Sequence, residues 1–404
     1  MKIVQINAVF GYGSTGRIVQ DIHEALINHG EDAWVCVGNA AEQVCNDRVI
    51  LLGNSFDHKE HALLSRVLGW QAHYSKRATK KLLKALEEIC PDVVVLHNLH
   101  ANYVSFPMLM NYLGEHHIPT ILYLHDCWFY TGKCTHYTQC GCFEWKAECG
   151  NCPKLMEDIP SWFFDRTRQM LKEKQRLYSR SNEIGVVGVS DWVLESAKQS
   201  ILSSSREFKR IYNWVDLDVF HPVQDARSNL AANGKIKEKM ILCVSSGWIR
   251  GSKRVKNLHS IATRLREEET LVVVGAIEED LLPSNCIYLS SIHDKEKMAE
   301  VFSAADVYLH LGEEDTFGNV IAESLACGTP VVSFDSTSYP ELIETCCGRC
   351  VKTGDISAMR LALDDVLYQG CATAAACRKS AEQRFNKSAL LPDLITYLQE
   401  ISRW

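Results

Sequence analysis

The segment Glu313-Glu314-Asp315-Thr316-Phe317-Gly318-Asn319-Val320-Ile321-Ala322-Glu323 sets two carboxylates, Asp315 and Glu323, eight positions apart around an aromatic-glycine step. The run ending Val307-Tyr308-Leu309-His310-Leu311 reads as a strand leading into it, Val320 to Leu325 as a helix, and Pro330 to Phe334 as the next strand. Such a unit places its loop at the carboxyl edge of a parallel sheet, where open α/β folds bind ligands. The helix start turns N–H groups and the positive end of its dipole toward that edge, which suits a pyrophosphate. Asp315 stands before the helix and Glu323 within it. One carboxylate can therefore bond a sugar hydroxyl while the other bonds a ribose diol.

Three other places carry chemistry. Gly11-x-Gly13-x-x-Gly16 follows an N-terminal apolar run and matches the dinucleotide fingerprint. That fingerprint also needs an acidic residue closing the second strand, and here that strand ends Val35-Cys36-Val37-Gly38-Asn39. Histidines end two further apolar runs, at His97, with His100 close behind, and at His125-Asp126. A histidine there either touches a ligand or is a satisfied polar group of the core. Finally, Cys134, Cys140, Cys142, Cys149 and Cys152 crowd together, the last two at metal-knuckle spacing, and four thiolates suffice for a closed structural zinc site. The alternative is a set of reduced thiols holding a loop. Cys346-Cys347-x-x-Cys350 lacks a matching second pair and reads as ordinary residues.

The elements that must position these residues follow from the alternation of apolar runs and helical stretches. Ile3–Val9, Trp34–Gly38, Asp92–Leu96, Ile121–Leu124 and Ile184–Val189 form one series. A second begins at Met240 and continues through Leu271–Gly275, Ile287–Leu289, Val307–Leu311 and Val331–Phe334. This alternation predicts an α/β fold of doubly wound parallel sheets. A length of 404 residues exceeds one core and predicts two domains. They are expected over residues 1–210, with a Cys-rich insertion at about 127–155, and over 239–385. Between them lies a linker, 211–238, interrupted by Pro222, Asn229 and Gly234, and a helix over 386–404 follows. The net charge of −7 gives no electrostatic reason to expect nucleic acid as a partner. No apolar run approaches the roughly 20 residues that cross a bilayer, and the seventeen cysteines without a secretory signal fit a reducing cytoplasm.

The acidic segment resembles the signature of the retaining GT-B glycosyltransferases, specifically glycosyltransferase family 4. Asn213-Trp214-Val215-Asp216 with Phe220-His221-Pro222 is similar to that family's interdomain stretch. His97-Asn98-Leu99-His100, Leu124-His125-Asp126-Cys127-Trp128 and Cys149-Gly150-Asn151-Cys152-Pro153 resemble its bacterial capsule, O-antigen and colanic-acid subfamily. The resemblance implies two Rossmann-like domains facing across a cleft, with the last helix crossing back to the N-terminal one. It implies transfer from a nucleotide-sugar, a UDP- or GDP-sugar foremost, to a lipid-linked oligosaccharide with retention, and no cofactor for catalysis.

By the same resemblance, His125, Lys253, Asp315 and Glu323 are catalytic. Gly13, Gly16, Arg250, Phe317, Gly318, Asn319 and Glu323 bind donor, and His97, His100 and Asp126 lie on the acceptor side. The cation opposing the leaving diphosphate is Lys253, with Arg250, Arg254 and Lys256 as alternatives. Cys134, Cys142, Cys149 and Cys152 match the subfamily's cysteines. Basic runs beside aromatics, at Lys76–Lys84 and Trp162–Arg168, suit either peripheral contact with the inner membrane face or a solvated surface. A nucleotide-sugar epimerase of the same fold and a non-catalytic binding protein are the rival readings. Replacing Glu323 or Lys253 by alanine is expected to cut transfer at least about tenfold, roughly 1.4 kcal/mol of barrier.

Overall fold

A computed structural model describes residues 1–41, 46–231 and 236–404; Gly234, one of the expected linker interruptions, lies outside them. The chain divides into two compact units. One comprises Met1–Ile211 with Leu391–Trp404, and the other Tyr212–Leu390.

In the first unit, seven parallel strands run in the order β3-β2-β1-β4-β5-β6-β7. They are β1 (Lys2–Phe10), β2 (Asp32–Ala40), β3 (Val49–Leu51), β4 (Val93–Leu96), β5 (Thr120–Leu124), β6 (Ile184–Gly188) and β7 (Glu207–Arg210). In the second unit, six parallel strands run β10-β9-β8-β11-β12-β13. These are β8 (Lys239–Val244), β9 (Glu269–Val274), β10 (Cys286–Leu289), β11 (Val307–His310), β12 (Val331–Asp335) and β13 (Gly348–Lys352). The central strands are near-continuous apolar runs because helices cover both faces of a parallel sheet; every residue of β4, β5 and β9 is buried. Glu269, on β9, is buried there because Arg360 takes both its oxygens at 2.8 Å.

Each order reverses once, between β1 and β4 and between β8 and β11. Connections leave these neighbours in opposite directions, so a crevice opens at their carboxyl ends. The loops after β1, β4 and β5 carry the glycines and histidines singled out above, and those after β8 and β11 carry the cations and acids. The sequence reading missed β3, β7 and β13. All three are edge strands; β7 reads Glu-Phe-Lys-Arg and is half exposed, so no apolar run marks it.

The stretch expected as a linker is packed from its start. Tyr212 lies against Phe317 and Phe385, with ring centroids 5.7 and 5.5 Å away. Asn213 Nδ2 donates to Asn319 Oδ1 at 3.2 Å. At the other end, helix Lys387–Ile401 returns to the first unit and buries Leu394, Ile395, Leu398 and Ile401 there. Gln399 donates to Glu31 (2.7 Å), and the Trp404 ring lies beneath Arg206. Among the described residues no helix is long and apolar enough to cross a membrane.

Candidate functional site

In the second unit the acidic segment forms the turn between β11 and helix Asn319–Ala326. Gly318 precedes the helix with φ +90°, a backbone conformation that a side chain would strain. Asp315 Oδ1 accepts the Thr316 N–H at 2.7 Å and the Phe317 N–H at 3.4 Å. Ser338 Oγ donates to the Phe317 carbonyl (2.9 Å). One oxygen of Asp315 thus holds the turn that presents the helix start. Phe317 is expected to reach the donor through its backbone amide; its ring is 1% exposed, wedged against Tyr212 and Phe385, so the side chain belongs to the core and anchors the turn. Glu323 lies half-buried one turn into the helix, and Asn319 is that helix's first residue.

Gly312 marks a polar nook at the end of β11. A Cβ there would stand 2.5 Å from His310 Nε2, 2.9 Å from the Tyr339 hydroxyl and 3.2 Å from Arg254 Nη2. The other His310 nitrogen meets the Tyr308 hydroxyl at 2.7 Å. Burial, and then Arg254, pull the His310 pKa to about 3, so the ring is neutral. His310, Tyr308 and Tyr339 escaped the sequence reading. The available signal was a third histidine ending a strand, as at His97 and His125.

The cations sort by partner. Arg250 is 57% exposed and bonded to Glu278 and to both oxygens of Asp280 (2.8 and 2.7 Å). It is neutralised there rather than presented to the acidic turn, which corrects the expectation for this residue. Lys253 opens helix Lys253–Ala262, and its Nζ pairs at 3.0 Å with Glu313, a buried acid the sequence reading passed over. Arg254 is the half-buried one. Its partner is neutral, Ser245 Oγ at 2.6 Å, and among the described residues no carboxylate lies within ion-pair distance of it. Lys256 is exposed on the same helix.

In the first unit, His97 follows β4 and His125 follows β5. Gln5 Nε2 donates to the Val19 carbonyl (3.2 Å), which turns Gln5 Oε1 toward His97 Nε2 (3.2 Å). His97 Nε2 therefore carries the proton and Nδ1 the lone pair. His97 Nδ1 lies 2.8 Å from His125 Nε2, so His125 must donate there. The chain of bonds assigns His125 the Nε2–H tautomer, with Nδ1 as the acceptor nitrogen. Burial draws His125 to about 4 against the pull of Asp126, and burial with His125 holds His97 well below the usual histidine range. The relay thus stays neutral near pH 7. His97 is fully buried, so it does not line an acceptor pocket as expected but positions His125. His100 Nε2 bonds Asp126 Oδ2 at 2.8 Å, and the Trp128 N–H bonds Oδ1 at 2.8 Å. Burial raises the Asp126 carboxyl, but His100 and that amide outweigh it and hold the group below the usual range.

The glycine loop serves the fold first. Gly13 has φ +66° with open space where its Cβ would be, and it begins helix Gly13–Asn28. A Cβ on Gly16 would stand 3.0 Å from Val9 Cγ2 and 3.2 Å from the Val9 carbonyl, so this glycine lets the helix lie close on β1. The described cysteines form no disulfide. Cys134, Cys142, Cys149 and Cys152 all line one small cavity of about 20 Å³. Cys140, at the same end, is exposed.

The family model for "Glycosyl transferases group 1" matches residues 226–384, inside the second unit. N-acetyl-alpha-D-glucosaminyl L-malate synthase of Bacillus anthracis is 22% identical over 218 residues, 50% of this chain. The chain spans 56% of that protein's length. Sucrose-phosphate synthase from Thermosynechococcus elongatus superposes with a TM-score of 0.69 at 15% identity, over 99% of this chain and 98% of its own. Anabaena HepE in complex with UDP-glucose gives 0.64 at 14% identity, over 99% and 100%. The chain has the GT-B fold, and its second unit carries a group 1 glycosyl transferase domain.

Proposed function

We propose that this chain moves a sugar from a nucleotide-sugar, a UDP- or GDP-sugar foremost, onto a lipid-linked oligosaccharide during assembly of a bacterial surface polysaccharide, with retention, as a family 4 enzyme. The observation that carries the reading is the acid pair Asp315 and Glu323 astride a helix start, with half-buried Arg254 beside Gly312 on the turn that leads into it and, among the described residues, no carboxylate at ion-pair distance from that arginine. First-turn amides of a helix have no intrahelical acceptor and draw an anion. A diphosphate seated there meets Arg254, with Lys253 beside it once Glu313 releases that ammonium. Glu323 accepts from the ribose diol, and the second Asp315 oxygen accepts from a sugar hydroxyl.

In the reaction the bond from the anomeric carbon to the diphosphate oxygen breaks, and the acceptor oxygen forms its bond on the same face. The acceptor proton passes to the departing phosphate oxygen. Arg254 stabilises the negative charge that grows on that oxygen. His125, held as a neutral acceptor, orients a hydroxyl of the transferred sugar; Gly13 and Gly16 keep the backbone open, and His100 with Asp126 serves the acceptor. Exposed Trp162, Phe163 and Phe164, and the basic outer face of helix Lys76–Ile89, each suit peripheral contact with the inner face of the membrane.

A thermal-shift screen of UDP-, GDP-, ADP- and dTDP-sugars names the donor. Glu323→Ala is then expected to lower transfer at least about tenfold with the melting point kept. Unchanged transfer refutes the assignment, and a changed sugar released from donor alone would make the chain an epimerase.

A further inference from the structure

The Cys-rich segment between β5 and β6 belongs to neither substrate's chemistry, yet it concentrates unusual groups. Four sulfurs, of Cys134, Cys142, Cys149 and Cys152, line one cavity of about 20 Å³. A void needs roughly 10–15 Å³ to admit a single water-sized occupant, so this one holds one small guest and no organic ligand. Gly132 packs directly against one of these sulfurs, since a Cβ there would stand 3.1 Å from Cys149 Sγ.

Two buried lysines stand around these sulfurs. Lys133 is 1% exposed, and its Nζ donates to three carbonyls, of Lys154 (2.7 Å), Leu155 (2.9 Å) and Glu157 (3.1 Å). Three donated bonds require an ammonium. Lys174 is 3% exposed; it donates to the Trp128 and Thr131 carbonyls (2.5 and 3.0 Å) and lies 3.5 Å over the Trp128 ring. Lys133 lines the sulfur cavity and adjoins Cys134 in sequence, and Lys174 lies close by; Asp158 acts on the first of these lysines and Asp126 and Glu173 on the second. Four thiolates around one divalent ion carry a net charge of −2, which nearby ammonium groups offset.

We propose that Cys134, Cys142, Cys149 and Cys152 bind one structural zinc ion as a closed tetrathiolate, with Lys133 and Lys174 as its buried counter-charges. Zinc–sulfur bonds of about 2.3 Å give a sulfur–sulfur edge of roughly 3.8 Å. Among the described residues, the His, Cys, Asp and Glu group whose ligand atoms all fall within 4.8 Å of one another is Glu344, Cys346 and Cys347. The four cavity sulfurs are thus more widely spaced, and rotation about their Cα–Cβ bonds draws them in as the ion enters. The Glu344 group is a weaker claimant: Glu344 and Cys346 are exposed, and Ser380 Oγ already bonds that carboxylate (2.5 Å).

The test uses the full chain purified under reducing conditions without chelator. Elemental analysis is expected to find one zinc per chain, retained in Cys346→Ser and lost in Cys149→Ser. Should the second variant fail to fold, alkylation of the wild-type chain decides. Mass mapping is expected to show Cys134, Cys142, Cys149 and Cys152 protected until a chelator is added, and cadmium in place of zinc should bring a sulfur-to-metal absorption band. No metal with all thiols reduced, alkylation of those four unaffected by chelator, or zinc lost with Cys346→Ser would overturn the proposal. None of these readouts depends on sugar transfer.

Discussion

Replacing Arg254 by methionine removes a charge while keeping most of the side-chain volume. Arg254 is half-buried, tied to Ser245 Oγ, and has no carboxylate at ion-pair distance among the described residues, so its charge is not already spent. Two unit charges roughly 4 Å apart interact by about 4 kcal/mol at an effective dielectric of about 20. Roughly half a unit of charge develops on a departing diphosphate, which leaves about 2 kcal/mol of differential stabilisation, near 30-fold in kcat. Lys253 is discounted, being 58% exposed and paired with Glu313 at 3.0 Å. Its removal should therefore cost less than that of Arg254, a lighter effect than the sequence alone suggests. Initial rates at saturating and limiting donor are expected to show the fall mainly in kcat, with Arg254→Lys recovering part of it. A melting curve checks that the lost Ser245 bond has not unfolded the unit. Full kcat in a folded Arg254→Met protein, with a large loss in Lys253→Ala, would refute the assignment.

Gln5→Leu removes the acceptor that fixes His97, leaving a buried N–H unbonded at a cost of about 1–3 kcal/mol of stability, and frees His125 to change tautomer. Transfer should fall several-fold through kcat, and the ¹⁵N shifts of His125 should leave the pattern of an Nε2-protonated ring; a wild-type His125 spectrum would dispose of the relay. The buried histidines also set an acid limit. His23 and His125 are lowered to about 4 and His61 and His310 to about 3, chiefly by burial. Above about pH 6.5 both folded and unfolded chains hold these rings neutral and no stability difference arises. Between about 6.5 and 4 the unfolded chain binds the extra protons, so stability falls as pH drops, by up to about 1.4 kcal/mol per ring at pH 5.5. Melting temperature measured from pH 8 to 5 should decline steadily below about 6.5, and a flat profile would contradict the assigned burial.

Central strands and the strand-ending residues were legible in the sequence because a parallel sheet covered on both faces demands unbroken apolar runs, and its carboxyl edge must then carry whatever polar residue comes next. His125 and Asp315 could be placed at loop starts on that basis alone. Side-chain partners could not. The pairing of Lys253 with Glu313 joins residues sixty positions apart, and that of Arg250 with Glu278 and Asp280 joins neighbouring strand ends; only the strand order brings either together. The packing of the Phe317 ring was hidden for a related reason: its neighbours Tyr212 and Phe385 come from opposite ends of the second unit, so nothing local marked the side chain as core. The edge strands β3, β7 and β13 stayed hidden because one flank meets water and their residues are correspondingly polar.

Helix Lys387–Ile401 has a consequence for how the polypeptide matures. Leu391–Trp404 belong with Met1–Ile211, and a Cβ on Gly185 of β6 would press on Trp404 and on the Tyr397 hydroxyl (3.1 and 3.2 Å). A ribosome delivers those side chains only after all of Tyr212–Leu390 has emerged. During synthesis, the later-made half is therefore the one able to reach its native form first, while the earlier half waits with an uncovered flank near β6 that chaperones would find.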